Sequence, residues 1–144
     1  MTTFHSSPML NLTIVVSGPP RGKGRPRFST RGGFPRAYTD AKTREYEARI
    51  AMEAKLAMDG RPPVSGPVEV TIHAWFVKPK SWTKKRKAET GHHVVKPDVD
   101  NLVKATLDGI AGVIIEDDNA VCSLIATKAY DDDPRLEITI RERR

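Results

Sequence analysis

Residues 96–104 read KPDVDNLVK: two aspartates, Asp98 and Asp100, stand just behind Pro97, and Lys104 follows Asp100 by four positions. Pro97 biases Lys96 towards extended geometry and marks the start of an element. Asp98 is then a natural N-cap, and Asp100 falls in the first turn near the positive end of the helix dipole, which would be use enough for one aspartate. Asp100 and Lys104 also have the spacing of an ordinary helical ion pair, as do Lys104 and Asp108. A second acidic group, Glu116, Asp117 and Asp118, follows within one short helix and a turn. A helix of a dozen residues spans about 18 Å, and a reversal at residues 109–112 can return this group towards the helix start. Clustered carboxylates repel one another unless a cation neutralises them. Hard oxygen ligands suit Mg²⁺, which accepts one or two carboxylates together with water and substrate phosphate. Such an ion polarises a phosphoryl oxygen and lowers the pKa of a water. Lys104 is spaced to stabilise developing charge or to orient the phosphate.

Charge along the chain points to the same chemistry. Of 144 residues, 24 are Lys or Arg and 18 Asp or Glu, and residues 1–39 carry no acid, so the whole excess of +6 lies there. It is concentrated in RGKGRPRFSTRGGFPR, with Arg21, Lys23, Arg25 and Arg27 at alternate positions. A second basic run, KPKSWTKKRK, contains Lys84, Lys85 and Arg86 and is offset by acids downstream. A solvated loop is the ordinary fate of such runs. Basic segments with no local acids, beside a separate acidic cluster, favour a polyanion, and nucleic acid above all.

The elements that must position these groups are readable. LNLTIVV (10–16) alternates as a half-buried strand, and VEVTIHAWFV (68–77) is the clearest strand. Between them, 18–38 reads as a long irregular basic loop, followed by a helix capped at Thr39 or Asp40 and running to about Met58, with Tyr46, Ile50, Ala54 and Ala57 inward. The segment 78–91 has room for a short helix, but no apolar stripe to anchor one. A second main helix starts at Asp98, turning Leu102, Val103, Thr106, Leu107 and Ile110 inward. VCSLIATKAY and RLEITIRE are two further strands joined by the DDDP turn. The order β-α-β-α-β-β predicts an α+β fold with a mixed sheet and two main helices, in a single domain over residues 1–144. No apolar run approaches membrane-spanning length. One cysteine, Cys122, excludes an internal disulfide, and a cytoplasmic location is expected.

Commoner motifs are excluded. Leu102 and Val103 stand where an EF-hand needs an oxygen ligand and a glycine. The D-x-D pair does not follow a buried strand, as a phospho-aspartyl phosphatase would require, and GPPRGKGR lacks the P-loop ending. The segment KPDVDNLVKATLDGIAGVIIEDDNAV resembles the signature of the RusA family of Holliday junction resolvases, as do PPRGKGRPRF, AYTD, and the strand ending in Lys128 before LEITI. The likeness runs from Ser17 to Ile140. It implies a homodimeric, Mg²⁺-dependent endonuclease (with Mn²⁺ as substitute) that makes paired nicks in four-way DNA junctions, encoded by a bacterium or prophage. By matched position, Asp98, Asp100 and Asp118 would hold the metal within the catalytic segment 96–118, and Lys104 would be the catalytic lysine. VVKP before the acidic motif, with KKRK upstream, is closer to the prophage type.

Asn101 is expected to hydrogen-bond a carboxylate ligand, Asp117 to be a second ligand or a turn former, and Asp108 to pair with Lys104. His92 and His93 read as loop residues, exposed or touching phosphate, and His73 and Trp75 as structural. Trp82 reads as a loop pin or a base-stacking side chain. Two other functions fit fewer of these features. A catalytically silent junction-binding protein needs no metal, and a metal-dependent phosphohydrolase of small nucleotides needs no long basic loop.

Overall fold

The computed structural model describes residues 8–24, 27–89 and 91–143, with Arg27 described through its backbone alone. In chain order these form β1 (Asn11–Ser17), β2 (Arg27–Ser29), β3 (Arg36–Tyr38), α1 (Ala41–Met58), β4 (Val68–Phe76), α2 (Lys84–Glu89), α3 (Val99–Ile110), β5 (Val121–Tyr130) and β6 (Arg135–Glu142). Four strands make one sheet in the order β1-β6-β4-β5. β6 runs antiparallel to both β1 and β4, whereas β4 and β5 are parallel, so the sheet is mixed and the fold is α+β, as expected.

Period-two alternation decides which face is buried. Val68, Val70, Ile72, Ala74 and Phe76 of β4, Leu136, Ile138 and Ile140 of β6, and Ile14 and Val16 of β1 form the core side of the sheet. α1 covers it with Tyr46, Ile50, Ala54 and Met58, and α3 with Leu102, Ala105 and Ile110. Thr106 is also fully buried, its hydroxyl satisfied by donating to the Leu102 carbonyl at 2.8 Å. The opposite face of the sheet is more polar: the Thr13 and Thr139 hydroxyls bond at 2.9 Å, and the Arg135 guanidinium lies 5.0 Å from the Trp75 ring centre.

Helix α1 begins as its sequence predicts. Asp40 is the N-cap, and its carboxylate accepts from the Thr43 amide at 2.7 Å and from the Thr43 hydroxyl at 3.0 Å. The helix ends at Asp59, in the left-handed region with φ 49°.

One expectation is corrected and one open reading is resolved. The segment 18–38 is not wholly irregular, because β2 and β3 pair as an antiparallel hairpin. Gly32 and Gly33, at φ 86° and 83°, supply the left-handed backbone at its turn, and the Gly33 amide donates to the Thr30 carbonyl. The basic segment 78–91 contains the short helix left open by its sequence, α2, and, in keeping with the missing apolar stripe, it buries none of its residues. Its anchor is tertiary: Trp82, just ahead of it, packs edge-on to Tyr130 at 5.2 Å, and Lys78 donates to the Lys87 carbonyl. Among the described residues no helix is long and apolar enough to cross a membrane.

The helices meet most closely at Gly109. A Cβ there would stand 2.6 Å from Ile50 Cγ2, 2.7 Å from Ile50 Cβ and 3.3 Å from the Glu47 carbonyl oxygen. Gly109→Ala should therefore destabilise the fold by about 1–3 kcal/mol through overpacking, outweighing a helix-propensity gain of about 1 kcal/mol. Urea unfolding would measure it, and undiminished stability would show that the helices separate freely.

Candidate active site and nucleic-acid interface

The acidic motif opens α3. Asp98 occupies the N-cap position with extended backbone, and its carbonyl accepts from the Asn101 and Leu102 amides, but its carboxylate makes no capping hydrogen bond. The structural role available to this aspartate is therefore filled by its backbone alone, and its side chain is left facing solvent. Asp100 is exposed in the first turn, with one carboxylate oxygen 3.0 Å from the Asn101 amide. Among the described residues neither Asp98 nor Asp100 is paired with a cation, and Lys104 makes no ion pair. Asp100, Lys104 and Asp108 are successive exposed residues on one side of the helix.

Asp108 pairs with Lys23 and not with Lys104, contrary to the expected helical pair. The reason is the path of the basic loop. The Lys23 amide donates to the Asn101 carbonyl at 2.9 Å, and its ammonium reaches Asp108 on α3 and, at 3.4 Å, Glu47 on α1. These carboxylates, chiefly the Asp108 hydrogen bond, hold the Lys23 pKa above its ordinary value. Lys23, expected to bind phosphate, is thus an internal tie. Gly22 makes that path possible: a Cβ there would lie 2.9 Å from Pro97 Cβ and 3.0 Å from Asn101 Cβ. Gly24 next donates its amide to the Thr43 hydroxyl at 3.0 Å.

The second acidic group lies in a short 3₁₀ turn, Asp118–Ala120, with Asp117 before it. Both aspartates are exposed, and their carboxyls are hydrogen-bonded to each other. That contact raises the Asp118 pKa and lowers that of Asp117, as two neighbouring carboxyls sharing a proton must. Asp118 also feels the charge of Asp108, which stands in the last turn of α3 and not at its acidic head. Among the described residues, however, no three carboxylate, imidazole or thiol side chains stand close enough to cage a metal. Asp98, Asp100 and Asp118 are thus not gathered into a closed triad. The donor set fits an ion such as Mg²⁺, which needs only one or two carboxylates and fills its shell with water and phosphate oxygens. It does not fit a metal that demands an all-protein cage.

Asn101 contributes its backbone and its packing against Gly22; its side chain makes no hydrogen bond to a carboxylate among the described residues. The histidines separate. His92 is exposed and bridges to Ala129, whereas His93, expected in a loop, is buried, stacked on Phe76 at 3.8 Å and 5.1 Å from Tyr130. Burial holds the His93 pKa below its usual value. Trp82 pins its loop, with the Arg86 guanidinium 4.1 Å above its ring. Lys84 and Lys85 are exposed on α2. Arg21 is exposed; Arg25 lies outside the described residues, as does the Arg27 side chain.

Two features escape sequence reasoning. Lys128, noticed only as part of a pattern, donates to the Val95 and Pro97 carbonyls at 2.6 Å each, fastening the segment that leads into Asp98 to β5. Phe28 and Phe34, 74% and 72% exposed on the basic β2–β3 hairpin, are unburied aromatics among cations, the composition of a surface that stacks on bases. Their even spacing among Gly, Pro and Arg was the available signal.

Comparison with known proteins agrees with this arrangement. Residues 17–141 match the family model described as Endodeoxyribonuclease RusA. The chain is 36% identical over 139 residues to a Bacillus subtilis (strain 168) protein described as "Uncharacterized protein YqaN", covering 91% of this chain and 96% of that one. With the acidic motif at the head of α3, the aspartate turn and the basic loop all inside the matched span, the chain belongs to the RusA family of endodeoxyribonucleases.

Proposed function

We propose that this protein is a Mg²⁺-dependent endonuclease that resolves four-way DNA junctions by hydrolysing a phosphodiester in each of two opposed strands. The observation that carries the reading is the uncommitted acidic head of α3: the Asp98 carboxylate makes no capping bond, and Asp100 has no cationic partner among the described residues. Carboxylates left exposed and unneutralised at a helix start, beside a basic loop, are what a metal-assisted phosphoryl site requires. Asp98 and Asp100, with Asp118 from the 3₁₀ turn, would hold the ion, and Asp117 would bias the protonation of Asp118. The ion, when bound, supplies charge neutralisation and Lewis acidity at the scissile phosphate.

The chain's own groups do the rest. Lys104, one turn along from Asp100 and in no ion pair among the described residues, offers its ammonium to charge that develops on the phosphate. The Gly22–Lys23 stretch keeps the basic loop against the start of α3, and Lys128 holds the approach to Asp98 in place. Arg21, Arg25 and Arg27 on the loop, and Lys84, Lys85 and Arg86 at α2, bind the phosphodiester backbone. Phe28 and Phe34 suit bases that are unstacked where strands exchange.

Two nicks across a symmetric junction need two sites, so the working unit is a homodimer. β5 supports this: it pairs only with β4 within the sheet, and its outer edge is unpaired through Thr127 among the described residues. Leu124 and Ile125 on that strand are 41% and 51% exposed. An edge of this kind invites pairing with a second copy across a two-fold axis.

Two outcomes check the reading. Wild type should nick a labelled four-way junction in Mg²⁺ and not in EDTA. Asp100→Asn should shift the junction without nicking it, and Lys104→Met should slow nicking on the order of 10²–10³-fold with binding retained. A wild-type protein that binds the junction but never nicks it in Mg²⁺ or Mn²⁺ is a binding protein. Sedimentation should find wild type a dimer and Ile125→Lys a folded monomer; an unchanged dimer would move the interface elsewhere.

A further inference from the structure

The positive charge of the proposed strand-binding surface does not end with the loop. On α1, Lys42, Tyr46 and Arg49 recur at helical spacing on the side turned towards Arg21. With Glu45 they line a niche of about 250 Å³. Among the described residues, none of Arg21, Lys42 and Arg49 forms an ion pair. The niche therefore holds three positive charges against one carboxylate. Arg49 is positioned: its guanidinium donates to the Ser17 carbonyl and lies 6.0 Å from the Tyr46 ring centre.

Tyr46 adds an independent sign of a missing ligand. The residue is 3% exposed, and its buried hydroxyl, approached by the Arg21 backbone amide, has no acceptor for its own proton among the described residues. A buried hydroxyl in that state is costly, and native structures rarely leave one without a role. Burial pushes its pKa to about 12, so it remains a donor at any ordinary assay pH. A phosphodiester is acceptor-only, carries one negative charge, and matches a donor set of guanidinium, ammonium and phenol.

The niche is also continuous with the acidic site. It shares Arg21 and Lys42 with a cleft of about 320 Å³, lined in addition by Pro20, Gly22, Gly24, Thr43, Pro97 and one carboxylate, Asp40, which caps α1. That cleft shares Gly22 and Pro97 with a third, of about 410 Å³, which reaches Lys96 and Asp98. Together they trace one track from the middle of α1 to the head of α3.

We infer that the Arg21–Lys42–Arg49 niche, with the Tyr46 hydroxyl, is a phosphate subsite holding a backbone phosphate of the DNA strand that runs along this track to Asp98. The inference rests on the nuclease reading for the direction of the strand, but its own content is binding.

The test is therefore made in EDTA, by titrating a four-way junction over a range of salt. Lys42→Gln and Arg49→Gln should each reduce the slope of log K against log salt by about 0.9 and weaken binding. Tyr46→Phe, which keeps the ring and the charge, should weaken binding about three- to tenfold at unchanged slope. Lys55→Gln, a charge-matched change at the far end of α1, should leave the slope at its wild-type value. Thermal melts confirm that each protein is folded; if Arg49→Gln does not fold, Lys42→Gln and Tyr46→Phe decide. Folded Lys42→Gln and Tyr46→Phe proteins that bind as wild type does would overturn the subsite. So would a Lys55→Gln protein that loses as much slope as Lys42→Gln, since net charge would then be the cause. Failure to nick in Mg²⁺ would sink the nuclease reading and leave this result standing.

Discussion

Lys23 joins three parts of the molecule that would otherwise be independent. Its backbone amide is bound to Asn101 at the head of α3, and its ammonium is shared between Asp108, further along α3, and Glu47 on α1. The pair is partly exposed, so its net stabilising value is small, about 1 kcal/mol or less. Its importance is geometric. With the Lys23 amide and side chain both committed, Arg21 and Gly22 must lie between the two helices, and the basic segment is delivered to the acidic one. The apolar crossing at Gly109 and Ile50 serves the same end from below, because it sets how near Glu47 and Asp108 can stand.

The polar surface around this crossing is sorted by what each charge is spent on. Asp40 is used in capping α1, Asp108 and Glu47 on Lys23, and Lys128 on two carbonyls before Asp98. Among the described residues, Asp98, Asp100 and Lys104 on one side and Arg21, Lys42 and Arg49 on the other form no ion pair, Arg49 being held only by the Ser17 carbonyl. A protein that folds with such groups unneutralised carries an electrostatic cost that a polyanion and its counter-cation would relieve. Charges satisfied within the fold build the frame, and those left over indicate its ligand.

Much of this frame was legible beforehand. β4, β5, β6 and both main helices follow from alternation and helical spacing, and the Asp40 cap from the T-D pair ahead of an apolar stripe. The misses share a cause: they depend on contacts between residues distant in the chain. Nothing local to Lys104 and Asp108 reveals that Lys23, 85 positions away from Asp108, competes for the aspartate. His93 reads as a loop residue until Phe76 and Tyr130 are seen on either side of its ring. Helix α2 has no stripe because Trp82 anchors it from outside. The niche on α1 was hidden differently. Lys42 and Arg49 read as ordinary exposed helix residues and Tyr46 as core, and only the burial of its hydroxyl with no acceptor among the described residues shows otherwise.

The Thr43 hydroxyl accepts from the Gly24 amide, and the Thr43 amide and hydroxyl both donate to the Asp40 carboxylate. The chain thus departs for the β2–β3 hairpin and returns from it at a single threonine. A segment clasped at its base in this way is mechanically separate from the rest, and closure of a longer one costs only logarithmically more. The hairpin can lengthen, shorten or exchange its aromatic tip while the two helices and the acidic head of α3 stay where they are. Substrate preference can in this way diverge among relatives through an appendage, without renegotiating the chemistry it serves.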